Sequence, residues 1–135
     1  MTVRIVRLGS PRERDEGLRI GTVRRPPRGV RKSRYAAEDW FDLWYPELAP
    51  SAATVAIARA DTSARGFTAF RRRYLAEMRV PAAARTLDLL AALSHTADFS
   101  VGCYCEDESR CHRSLLRELL AVRGARIGPT ALPIR

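Results

Sequence analysis

The stretch SVGCYCEDESRCHRSLLRELLAV, Ser100–Val122, decides how this sequence folds. Its first part, taken with the preceding Phe99, reads as a buried strand, "FSVGCYC". The polar loop "EDESR" then turns the chain. "HRSLLRELLAVRG" reads as a helix that ends at Gly124, where a glycine commonly terminates helices. A strand end followed by a helix start is where open α/β sheets bind their ligands. The helix start offers free backbone N–H groups and a positive dipole end. Arg110, His112 and Arg113 add donors and charge, and Ser114 adds a hydroxyl in the same turn. Together they suit an anion: phosphate, sulfate, carboxylate or nucleotide.

All three cysteines lie in this stretch. Cys103 and Cys105 are two apart on a strand and share a face, with Tyr104 turned the other way. Four roles are open to the thiols. Cys103, Cys105, Cys111 and His112 have the donor types of a zinc site, but C-x-C-x5-C-H is an unusual spacing, and the adjacent Cys111 and His112 are hard to direct to one ion. Cys111, at a helix start between Arg110 and His112, is expected to have a lowered pKa and to serve as nucleophile. Cys105 and Cys111 could pair as a redox disulfide. Or the cysteines simply pack as small apolar residues. Neither Cys103 nor Cys105 is followed by five residues and an arginine, the cysteine-phosphatase pattern. One of Glu106, Asp107 and Glu108 could orient His112 or an arginine, or act as acid or base.

Outward from this stretch, "VRIVRLG" (Val3–Gly9) and "LRIGTVRR" (Leu18–Arg25) alternate apolar and polar residues, as half-buried strands do, and are expected to pair with each other. "PPRGVRKSR" is a basic loop at a strand end. The aromatic segment "YAAEDWFDLWYPELAPS" is expected to lay its rings over the sheet. Ser51 can cap a short helix, "AATVAIARA". "SARGFTAFRRRYLAEMR" is a clearer helix, with Phe67, Phe70, Tyr74, Leu75 and Met78 at helical spacing. Pro81 opens another, with Leu87, Leu90, Ala91 and Leu93 as its apolar stripe and His95 near its end. "ARIGP" reads as a last short strand. The resulting order is β-β-α-α-α-β-α-β. It predicts an α/β fold: a small layered domain, residues 1–135, with a mostly parallel sheet flanked by helices.

Of the chain's 135 residues, 46% are apolar and 29% charged, a globular composition. No apolar run approaches the roughly 20 residues needed to cross a bilayer, and "MTVRIVRLGS" lacks the apolar core of a signal peptide. A cytoplasmic protein with reduced thiols and no membrane partner is expected. The net charge of +9 invites a nucleic-acid reading. Against it, the arginines are scattered among acids, few aromatics stand between them to stack on bases, and Lys32 is the only lysine. Arginine and alanine in such excess also fit the bias of a GC-rich genome.

The motifs "CYCEDESRCHRSLLRELL", "RRPPRGV" (Arg24–Val30), "DLWYPELAPS" (Asp42–Ser51) and "FRRRYLAEM" (Phe70–Met78) resemble, in that order, segments of the YeaO-like proteins, domain of unknown function 488. The resemblance covers nearly the whole chain. It implies a small α/β domain and a common site for Arg24, Arg28, Cys111, His112 and Arg113. One departure is Val23, with Thr22 before it, where many members carry an Asp.

These readings converge on a domain that binds a small anionic ligand at the Cys-His-Arg turn. Arg24, Arg28, Arg110 and Ser114 are the expected ligand-binding residues, and Cys111, His112 and Arg113 the expected chemical ones. No cofactor is expected. The competing readings are a nucleic-acid-binding module and a metal-binding or redox-sensing structural protein.

Overall fold

In a computed structural model, which describes residues 1–129, the chain forms strands β1 (Val3–Arg7), β2 (Leu18–Gly21) and β3 (Leu43–Trp44), helices α1 (Ala52–Ala60), α2 (Ala64–Glu77) and α3 (Pro81–Leu93), strand β4 (Phe99–Cys103) and helix α4 (His112–Val122). The last residues of the expected domain lie outside the described part. The four strands make one sheet in the order β1-β4-β2-β3. Every pairing is parallel, with Ile5 and Ile20 both aligned on Val101. The expected α/β class is what the chain adopts.

The N-terminal strands do not pair with each other, contrary to the sequence reading. β4 lies between them. The reason is burial. All five residues of β4 are buried, and a strand buried along its whole length belongs in the middle of a covered sheet. β3 is an element the sequence reading missed. It is two residues long, both exposed, on the sheet edge. The expected last strand reduces to one bridge, Val3 with Ile127.

Phe99 and Val101 of β4, Val3 and Ile5 of β1 and Ile20 of β2 turn one face of the sheet toward α2, α3 and α4. Phe70, Tyr74 and Met78 of α2, Leu87, Leu90 and Ala91 of α3 and Leu115, Leu116 and Leu120 of α4 fill this core. Of the expected stripe on α3, Leu93 stays 39% exposed, because the helix runs out past the core there. Ser51 caps α1 as expected, its Oγ accepting from the Thr54 N–H at 3.2 Å, and Pro81 opens α3. His95, past the end of α3, hydrogen-bonds the Gly124 carbonyl at 2.8 Å. Gly124 follows α4 with φ +80°, the backbone conformation that glycine adopts freely.

The opposite face of the sheet carries a buried ion pair. Arg19 of β2 is fully buried and grips the Glu16 carboxylate through Nε at 2.7 Å and Nη2 at 2.9 Å. Ser100 of β4 donates to the same carboxylate at 2.7 Å. The remaining guanidinium donor reaches the carbonyls of Ser10 at 2.9 Å and Asp39 at 2.7 Å. One side chain thereby fastens the loops after β1 and before β3 to the sheet. Among the described residues no helix is long and apolar enough to cross a membrane.

Candidate functional site

The strands β1, β4 and β2 run parallel, so their carboxyl ends emerge on one side. A second apolar cluster sits there, made of Leu8, Val23, Phe41, Cys103 and Cys111, with Tyr35, Trp40 and Tyr104 packed on it. The aromatic segment does cover this end of the sheet: Tyr35 meets Phe41 edge to face, and Trp40 meets Tyr104 in the same way. Gly21 has to be glycine for this packing, since a Cβ there would lie 2.4 Å from the Phe41 ring.

Above this cluster opens a cleft of about 1310 Å³. One wall follows β1 and includes Arg7 and Ser10. Another is the loop after β2, with Arg24, Arg25, Pro26, Pro27 and Arg28. The third is α1, through Val55, Ala56 and Arg59. Cys103, Cys105 and His112 lie at the floor. Five arginines line the cleft and no carboxylate does. Two aromatic donors fix the arginine-bearing loop. Trp44 Nε1–H donates to the Val23 carbonyl at 2.7 Å, and the Tyr104 hydroxyl donates to the Arg25 carbonyl at 2.9 Å.

The floor is organised by hydrogen bonds that fix atoms rather than residues. The Thr22 N–H and hydroxyl both donate to the Gly102 carbonyl, each at 2.9 Å. Its own carbonyl stands 2.8 Å from His112 Nε2. A carbonyl only accepts, so Nε2 carries the proton and Nδ1 bears the lone pair. That Nδ1 lies 3.6 Å from Cys111 Sγ. Burial pushes the His112 pKa down to about 4, so the ring is neutral at pH 7. Cys103 and Cys111 are buried with their sulfurs 2.6 Å apart, whereas Cys105 is exposed.

The thiols differ in acidity from the sequence expectation. Cys111 accepts a hydrogen bond from Cys103, which lowers its pKa. The nearby Cys105 thiolate and burial outweigh that, and Cys111 is pushed up to about 11. The helix start and neighbouring arginines do not activate it, because the sulfur is inside the protein. The lowered thiol is Cys105 instead. It stands near the Cys103 and Cys111 thiols and feels the positive charge of Arg113. Cys103 is raised by the neighbouring Cys105 and Cys111 sulfurs and by burial.

Arg24, Arg28 and His112 line one cleft, and Cys111 does not. Arg113 lies beneath it. This residue is only 4% exposed, gives one guanidinium N–H to the Cys105 carbonyl and leaves Nε without a partner. Arg110 turns away to the carbonyls of Thr62 and Ser63. The Ser114 hydroxyl bonds back to the Cys111 carbonyl at 2.9 Å. Neither lines the cleft. The acidic loop does not orient His112 either: Glu108 pairs with Arg117 at 2.7 Å, and Glu106 with Arg7 at 3.5 Å. Sequence reasoning missed the α1 wall. A signal was present: Ala52, Val55, Ala56 and Arg59 recur at the spacing of one helix face.

A protein-family model described as the active DUF488-N3 subclade, DUF488-N3a, matches residues 3–124. Comparison with curated proteins and with solved structures finds no match.

Proposed function

The chain belongs to the DUF488-N3a family, and from that premise we propose that it binds a small organic anion, bearing phosphate or carboxylate, in the arginine-lined cleft and presents it to the Cys105 sulfur. The observation that carries this reading is the charge of the lining: five arginines and no acid on one concave surface. Arginine is suited to phosphate and carboxylate because its planar fork donates two parallel hydrogen bonds. The apolar part of the lining, Pro26, Pro27, Val55 and Ala56, favours a ligand with a carbon or ring body over a bare inorganic ion. Arg24 and Arg28 neutralise the anion. Cys105 takes the reactive role first assigned to Cys111, because it faces the cleft. His112, with Nε2–H held by Thr22, orients the floor, and Arg113 supports the Cys105 turn from below. Reduced thiols at such a site fit a cytoplasmic setting.

A nucleic-acid polymer is the weaker reading. Arg4, Arg12, Arg19, Arg71, Arg117 and Arg123 pair with carboxylates away from the cleft. The five that line the cleft surround a pocket rather than a track.

Calorimetric titration with a nucleoside monophosphate, and with the matching uncharged nucleoside as control, tests the proposal. Binding of the monophosphate, weakened about tenfold or more by Arg24→Ala or Arg28→Ala, is the expected result, since a charge-assisted hydrogen bond contributes roughly 1.5–3 kcal/mol. Equal affinity for the neutral nucleoside, or variants that bind as the parent does, would count against it.

A further inference from the structure

We propose that Cys103, Cys105, Cys111 and Nδ1 of His112 form a site for one soft divalent metal ion of the zinc class, at the floor of the cleft. This goes beyond the anion reading and does not depend on it.

Four observations carry the inference. First, the Cys103 and Cys111 sulfurs and a ring nitrogen of His112 all lie within 4.8 Å of one another, and all three residues are buried. Second, the sequence objection to adjacent ligands disappears in the folded chain. Cys111 sits just before α4 and His112 is its first residue, and their Sγ and Nδ1 atoms come to 3.6 Å. Zinc bonds of about 2.3 Å to sulfur and 2.0 Å to nitrogen, at a tetrahedral angle, put those two atoms roughly 3.5 Å apart. Third, the ring is oriented as a metal-binding histidine is. Nε2–H is held by the Thr22 carbonyl at 2.8 Å, so the lone pair of Nδ1 is left on the Cys111 side.

Fourth, the charges balance. Three thiolates and one divalent ion sum to a single negative charge. Arg113 is a buried guanidinium that meets no carboxylate among the described residues, and its Nε has no partner. A buried cation is costly without a counter-charge. The loaded site supplies one directly above it, where Arg113 already holds the Cys105 carbonyl. Cys105 lies outside that close group of three donors and faces the cleft, from where its sulfur turns inward to complete the coordination on loading.

Besides the inward turn of Cys105, the two buried sulfurs have to separate. The Cys103 and Cys111 sulfurs stand 2.6 Å apart, against roughly 3.8 Å along a tetrahedral edge with zinc–sulfur bonds of that length. Loading therefore separates them by about 1 Å. A disulfide would do the reverse, closing them to about 2.05 Å and removing both donors.

The test uses the full chain, purified without a metal-affinity step, reduced, stripped with chelator and titrated with cobalt(II) and zinc(II). The expected result is uptake of about one equivalent, with thiolate-to-cobalt charge-transfer bands and tetrahedral d–d bands that zinc displaces. Cys111→Ser and His112→Ala are expected to weaken binding at least 100-fold in competition with a chromophoric chelator. Cys105→Ser, at an exposed position that leaves the fold intact, is expected to keep one equivalent but lose part of the charge-transfer intensity. Arg24→Ala should bind cobalt as the parent does, which separates this site from the anion cleft. No uptake by reduced, folded protein, or an unchanged cobalt spectrum in Cys105→Ser, would overturn the proposal.

Discussion

At the residue scale, the three cysteines divide by exposure. Cys105 faces solvent, while Cys103 and Cys111 are 1% and 2% exposed. Reagent access therefore ranks them before acidity does. In reduced, chelator-treated protein, iodoacetamide should label Cys105 first, with peptide mass mapping showing little modification at Cys111 until the fold is lost. Dominant labelling at Cys111 would restore the nucleophile that the sequence suggested. The contrast shows what a local reading reaches. Neighbouring arginines and a helix start are visible in "SRCHR". Whether the sulfur ends up inside the second apolar cluster is decided by Leu8, Val23 and Phe41, which lie far away in sequence. Likewise, nothing in the order Cys-His says which ring nitrogen faces the thiol. That is set by the carbonyl of Thr22, ninety residues earlier.

At the element scale, the strands were legible and their partners were not. Alternation marks β1 and β2, and apolar continuity marks β4, yet a period-2 pattern does not name a neighbour. β3 carries no pattern, because both its side chains are exposed and only its backbone joins the sheet. What ties the loops to these strands is Arg19. Its alternation in "LRIG" reads as an outward-facing polar residue, but it is fully buried. Arg19→Ala would leave the Glu16 carboxylate buried and alone, and should lower the unfolding free energy by about 3–5 kcal/mol in urea titrations. Acid tests the same pair. Burial alone would raise the Glu16 pKa. The hydrogen bonds from Arg19 and Ser100 and the charge of Arg19 outweigh burial and hold it below its ordinary value. A carboxylate lowered on folding stabilises the protein above its unfolded pKa of about 4.5 and ceases to as pH falls through the folded value. Melting temperature should therefore drop on acidification below that point, and the drop should be smaller in Glu16→Gln. Identical acid limbs would show that the pair does not govern acid stability.

At the scale of the whole molecule, composition, strand–helix succession and the match of motif order together gave the α/β class and the family. The location of the site at a strand end beside a helix start was also legible, because parallel sheets place such ends together. Its walls were not. The cleft needs Arg59 from α1 and Arg7 from β1, which no local pattern connects. Net charge was the least informative number, since it does not say where on the fold the arginines stand. Duplex DNA at about 0.15 M salt should accordingly give no discrete complex in a gel-shift titration. A complex whose affinity falls steeply with salt would instead reveal several phosphate contacts and a nucleic-acid partner.

The central place of β4 also sets an order of events during synthesis. β1 pairs only with β4 within the sheet, and about 90 residues lie between them. At ribosomal rates of roughly 5–20 residues per second, the first strand waits on the order of 5–20 s for its partner. Through that interval Val3 and Ile5 have no strand to pair with, while β2 can meet β3 and the helical hairpin of α1 and α2 can form from local contacts. The arginines interleaved in "VRIVR" keep the waiting strand charged and discourage pairing with other nascent chains. The same alternation that marks β1 as a strand thus protects it until the strand it needs is made.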